Sequence, residues 1–111
     1  MDRGNDMSGI TLHARQRIEI IIEAVDAEQV TELLDRLGAP GWTVLPVLSG
    51  RGRQGVRQGG DPSGVFDNVL IVCIASDEVA ARVLAARDEL LEARPAIVTV
   101  SACNVLRPEH F

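Results

Sequence analysis

The 111-residue chain has no lysine and no tyrosine, one tryptophan, two phenylalanines and two cysteines. Without lysine there can be no lysine nucleophile, no Schiff base and no Walker-type phosphate loop. The three aromatic residues, Trp42, Phe66 and Phe111, are too few to stack nucleobases along a strand. Cys73 and Cys103 lie inside apolar runs and lack the close spacing of a metal or redox pair, so both are expected as small buried hydrophobes. His13 and His110 come without a partnering cluster of acids or cysteines, and no metal site is expected. No apolar run approaches the roughly 18 residues of a membrane helix. The start, Met1-Asp2-Arg3-Gly4-Asn5-Asp6, is too polar for a signal peptide, so a cytoplasmic protein without membrane insertion is expected. The formal charge of −5 argues against a general nucleic-acid or membrane-surface binder, which needs a broad basic face to displace counterions.

What is present is a globular composition, 46% hydrophobic, sufficient for one domain with its own core. The scarce positive charge is concentrated. The stretch Ser49 to Gly64 holds six of the ten glycines and three of the eleven basic residues, Arg51, Arg53 and Arg57. With no acid before Asp61, its local charge is about +3. Glycine lets backbone N–H groups approach a ligand closely, and arginine offers a planar fork to phosphate or carboxylate. Together they describe an anion site; the plainer alternative is a set of solvated arginines that keep a loop soluble.

Arg15 to Glu23 alternates Ile18, Ile20 and Ile22 against Arg17, Glu19, Ile21 and Glu23, a strand with one core face. Asp26 is placed as an N-cap, with Gln29 completing a capping-box-like pair, before Val30, Leu33, Leu34 and Leu37 at helical spacing. Gly38 and Pro40 end that helix. Trp42 to Leu48 reads as a second strand, at a sheet edge because Pro46 cannot donate to a ladder. After the glycine-rich loop, Asn68 to Ala75 is apolar on both faces, as a central strand requires. Ser76 or Asp77 caps a second helix to about Arg94, with Val79, Val83, Ala86 and Leu90 inward, and Ala96 to Val105 is a fourth strand.

Strand, helix, strand, strand, helix, strand is the α+β ferredoxin-like βαββαβ order: a four-stranded antiparallel sheet with two helices on one face. The uncovered face still carries apolar residues, so further copies of the chain are expected to pack there. Gly50-Arg51-Gly52-Arg53-Gln54-Gly55 formally matches a dinucleotide fingerprint. No helix opens at its third glycine, however, since Gln58-Gly59-Gly60-Asp61-Pro62 continues the loop.

Gly41-Trp42-Thr43-Val44 leading to Pro46, then Ser49-Gly50-Arg51-Gly52 and Val56-Arg57, carry a resemblance to the PII-like signalling superfamily, over about residues 15–107. The run is most similar to the branch linked to inorganic carbon, the carboxysome-associated PII proteins and the regulator of the cyanobacterial bicarbonate transporter. Residues 1–12, mixing Gly, Ser, Asp and Asn with scattered apolar positions, are expected as a flexible tail before a domain at 13–111, and the resemblance implies a homotrimer whose T-loop spans about 49–66. It implies an adenine nucleotide held between subunits, possible bicarbonate binding, and a target protein (a transporter or a carboxysome component) met through the T-loop. The nucleotide contacts so implied are Gly41, Thr43, Ser49, Gly50, Arg51, Gly52, Arg53, Gly55, Arg57, Asn104 and Arg107. For Gly41 and Thr43 the alternative is a turn and a strand residue, and for Asn104 and Arg107 a surface role; Trp42 is read as packing. Nitrogen-sensing PII proteins have a Gly-Asp-Gly-Lys phosphate loop where this chain has Leu91-Glu92-Ala93-Arg94-Pro95, and a modifiable tyrosine that is missing here. AMP or ADP is therefore the expected ligand rather than ATP, with no cofactor and no enzymatic activity.

The competing enzyme reading rests on Gln54-Gly55-Val56-Arg57, which is similar to the phosphate cradle of acylphosphatases, with Asn68 as a candidate second group. In those enzymes the cradle follows the first strand, whereas here it follows the second. A third reading is an oligomeric scaffold without a ligand.

Overall fold

The computed structural model describes residues 6–7, 9–52, 55–58, 67–92 and 94–111. Within the stretch expected as a loose tail, β1 (Asp6–Met7) and β2 (Ile10–Thr11) pair antiparallel, and Gly9 at φ 80° turns the chain between them. The strand β3 (His13–Glu23) begins two residues before the expected start. It buries Ile18, Ile20 and Ile22 on the face that the alternation assigns to the core.

A 3-10 turn, Ala24–Asp26, leads into α1 (Ala27–Arg36). This corrects the expected cap: Asp26 is itself helical, at φ −94° and ψ −6°, and its side chain makes no capping bond. Gln29 is engaged elsewhere, its Oε1 accepting from Arg94 Nη2 at 2.9 Å. Val30, Leu33 and Leu34 are buried. The helix ends in a Schellman arrangement, with Ala39 N–H donating to Leu34 O, Gly38 N–H donating to Asp35 O, and Gly38 left-handed at φ 91°.

The strand β4 (Thr43–Pro46) is shorter than expected. The glycine-rich stretch corrects the expectation of a loop without secondary structure: β5 (Ser49–Gly52) and β6 (Gly55–Gln58) form a separate ribbon, Gly50 facing Arg57 and Arg51 facing Val56. Local pairing gives its backbone groups partners that an open loop leaves to water. The strand β7 (Asn68–Ala75) buries Ile71, Cys73 and Ala75 and keeps Leu70, Val72 and Ile74 half-buried on its other face.

Ser76 caps α2 (Asp77–Ala85), its Oγ accepting from Val79 N at 3.3 Å. The single helix expected to run to Arg94 is instead interrupted at Ala86, at φ −92° and ψ 17°, whose N–H is shared between the Arg82 and Val83 carbonyls. It resumes as α3 (Arg87–Leu91), which still brings Leu90 into the core. The last strand is β8 (Ala96–Val105), at the expected bounds.

The sheet order is β4-β7-β3-β8, antiparallel throughout, with Pro46 on an edge strand and β7 inside. This is the ferredoxin-like α+β arrangement. One face packs on the helices through Ile18, Ile20, Ile22, Ile71 and Cys73 against Val30, Leu34, Val79, Val83 and Leu90. Each large aliphatic side chain so buried contributes about 1.5–3 kcal/mol. On the opposite face the register aligns Leu45, Leu70, Ile21 and Ile97 in one row across all four strands. Beside it Arg17 Nε donates to Glu19 Oε1 at 3.0 Å.

Candidate functional site

Thr43 opens β4 opposite Val72, with Gly41 just ahead of it. A Cβ placed on Gly41 would meet nothing within 4 Å, so the backbone there is open to an incoming group. Together with Trp42, Val72, Ile74 and Phe111 these two residues line a cleft of about 290 Å³. Val72 and Ile74 form an apolar floor from the uncovered face of β7. The Trp42 indole is fixed by its Nε1, which donates to Asp35 Oδ1 of α1 at 2.9 Å.

The Phe111 side of the cleft comes from the opposite edge of the sheet. After β8 a 3-10 turn, Pro108–His110, folds the chain back, and Arg15 of β3 holds it. Arg15 Nε donates to Phe111 O at 3.0 Å and Nη2 to Pro108 O at 3.1 Å, while Nη1 is anchored on Ala14 O at 2.7 Å. The segment thus crosses from β8 over β3 to reach β7 and β4, roughly 14 Å at the usual strand spacing.

Ser49, Gly50, Arg51, Gly52, Gly55 and Arg57 lie on the β5–β6 ribbon, with Arg51 exposed. Arg53 lies outside the described residues. Thr43 and Ser49 are separated by the length of β4 and its continuation, up to roughly 20 Å along an extended chain. Gly41 and Thr43 thus stand at the start of β4, and the ribbon that bears the exposed Arg51 follows its end in chain order. Asn104 faces Ala14 near the end of β8 and is exposed, and the exposed Arg107 precedes the Pro108 turn.

The stretch standing where nitrogen-sensing PII proteins carry a phosphate loop offers few donors. The Arg94 guanidinium is committed to the Leu90 and Glu89 carbonyls, at 2.8 and 3.3 Å, and to Gln29. It borders a second cleft of about 220 Å³ between α1 and α3, where Glu32, Glu89 and Glu92 outnumber Arg36 and Arg94. Arg36 Nη2 is paired there with Glu89 Oε1 at 2.9 Å, so this cleft is a poor host for an anion.

Cys73 is buried as expected, and burial pushes its thiol pKa up, leaving it neutral and unreactive. Cys103 corrects the expectation. It is half-exposed, beside Arg15 on the uncovered face, because β8 is an edge strand and no helix covers that side. Among the described residues no group of three His, Cys, Asp or Glu side chains could hold a metal ion, and no helix is long and apolar enough to cross a membrane. Sequence reasoning did not single out Arg15 or Phe111 for this cleft, and read Trp42 as packing rather than as stacking on adenine. The available signal was the rarity of aromatics: two of the chain's three stand at this cleft, half-exposed, rather than in the core.

The chain has a ferredoxin-like sheet with a long glycine- and arginine-bearing excursion between its second and third strands in chain order. Residues 15–110 match the family described as nitrogen regulatory protein P-II, and the chain belongs to that family. It is a PII-like regulatory protein. Among solved structures it is similar to CPII, a nitrogen regulatory PII-like protein from Thiomonas intermedia K12, bound to ADP, AMP and bicarbonate. The match has 31% identity and a TM-score of 0.82 over 92% of this chain and 97% of that one. A protein from Thermus thermophilus, described as PII-like in signalling, matches with 28% identity and a TM-score of 0.77 over 90% and 97% of the two chains. The GlnK–ATP complex of B. subtilis, at 15% identity and a TM-score of 0.51 over 79% and 82%, shares the fold alone. No curated protein matches the chain.

Proposed function

We propose that this protein is a homotrimeric sensor of AMP or ADP, with bicarbonate as a second ligand, that signals through its T-loop in inorganic-carbon metabolism. The observation that carries this reading is an apolar-floored cleft at the start of β4 followed, after the end of that strand, by an arginine-bearing ribbon. A cleft with an apolar floor suits a nucleobase, and a ribbon with Arg51 and Arg57 suits phosphate, yet they lie at opposite ends of one strand. A neighbouring copy supplies the missing half. The apolar row from Leu45 to Ile97 gives that copy its contact surface.

The nucleotide contacts in this reading are Gly41 and Thr43 from one subunit, the ribbon residues with Arg53 from another, and Asn104 and Arg107 near the Pro108 turn. Arg94 spends three of its five N–H donors on Glu89, Leu90 and Gln29, leaving fewer for a γ-phosphate, which supports AMP or ADP over ATP. That CPII was solved with ADP, AMP and bicarbonate supports both ligands. Ligand-dependent rearrangement of the T-loop would present it to, or withdraw it from, a target protein in the cytoplasm. Family membership favours this account over an acylphosphatase-like enzyme.

Calorimetric titration with AMP, ADP, ATP and cyclic AMP, with and without bicarbonate, tests the reading. Saturable binding of AMP or ADP is expected, without release of phosphate. Failure of all four nucleotides to bind would end it.

A further inference from the structure

The chain has only three aromatic residues, and Trp42 and Phe111 border the same cleft while the core is built from aliphatic side chains. Both remain substantially exposed, Trp42 at 41% and Phe111 at 36%. Aromatic side chains left exposed at a cleft lose the stabilisation that burial would give them, unless a planar ligand supplies it. The two are also held: Trp42 by Asp35, and the Phe111 main chain by the guanidinium of Arg15. Arg15 makes three hydrogen bonds to main-chain oxygens, two of them in the returning segment, so its place in the fold is to pin that segment.

We infer that Phe111 is the second aromatic wall of the base-binding cleft, and that Arg15 is the positioning residue that holds it there. The inference rests on the nucleotide reading above. The floor of Val72 and Ile74 takes the edge of the ring and Thr43 offers it a hydrogen-bonding hydroxyl. The face of the ring meets aromatic side chains drawn from opposite edges of the sheet. The segment from Pro108 to Phe111 is then a built part of the site rather than a tail.

The test is titration of the full-length protein with ADP, read by calorimetry and by the fluorescence of Trp42, the sole tryptophan. Phe111→Leu keeps an apolar side chain but removes the π face, and is expected to weaken ADP roughly tenfold. Phe111→Tyr keeps the face and is expected to stay near the wild type. Arg15→Ala is expected to weaken ADP to a similar degree, and to add almost nothing in a Phe111→Leu background, because it acts only through that ring. Unchanged or tighter binding by Phe111→Leu, in a protein that melts like the wild type, overturns the inference while leaving the nucleotide reading intact. Full additivity of the two substitutions overturns the role of Arg15. A wild-type protein that does not bind ADP brings down the nucleotide reading itself.

Discussion

Leu45 and Ile97 lie on the two opposite edge strands of the sheet, yet they terminate one continuous apolar row through Leu70 and Ile21. In the isolated chain Ile97 is 60% exposed and Leu45 42%, so the ends of the row are the parts most open to a neighbouring copy. Ile97→Asp places a charge where a subunit contact would bury it, at small cost to the separate chain. Sedimentation velocity is expected to show the trimer replaced by monomer, with a far-UV spectrum unchanged. A trimer that persists in this variant would remove the row from the interface.

Arg57 stands opposite Gly50 on the ribbon, and Arg51 is exposed beside it. A charge-assisted hydrogen bond to phosphate contributes about 1.5–3 kcal/mol, so Arg57→Ala is expected to weaken ADP by roughly tenfold to a hundredfold. The loss should shrink for AMP and in high salt, both measurable by calorimetry. Equal losses for the two nucleotides would place Arg57 away from the terminal phosphate.

The helix caps separate two residues that look alike in sequence. Ser76 accepts a bond from Val79 N, whereas Asp26 makes no capping bond. Ser76→Ala is expected to cost about 1 kcal/mol in urea unfolding. Asp26→Ala should fall within about 0.5 kcal/mol of the wild type.

Cys73 and Cys103 should differ in reactivity. A thiol reagent is expected to modify half-exposed Cys103 in the native protein and Cys73 only after unfolding. Burial raises the Cys73 pKa in the fold, so the unfolded chain gives up that proton first. Its contribution to stability is therefore full below the unfolded pKa of about 8.5 and declines as pH rises beyond it. The chain has no lysine or tyrosine to titrate in that range. The fall in urea midpoint between about pH 8 and pH 10 should flatten in Cys73→Ala.

Binary patterning was legible because burial enforces it locally. The alternation of Ile18, Ile20 and Ile22 fixes a core face whatever the partners, and Pro46 fixes an edge because it lacks an N–H. These features, with the element order, were enough to give the fold; the family came from the resemblance carried by Gly41-Trp42-Thr43-Val44, Ser49-Gly50-Arg51-Gly52 and Val56-Arg57. The candidate site was legible only where glycine, threonine and arginine carried it, in Gly41, Thr43 and the ribbon. Gln29 shows why local reading has limits: its spacing from Asp26 fits a capping box, but a longer-range partner, Arg94, takes its side chain.

What the sequence determined by itself was thus every preference that depends on a residue and its near neighbours: periodicity, breakers, the cationic loop, the scarcity of aromatics. Only the tertiary structure decided which distant segments share a surface. No spacing rule joins Arg15 to Phe111 or Leu45 to Ile97, because those relations arise when strands far apart in sequence fall into register, and the register is set by the packing of the whole sheet.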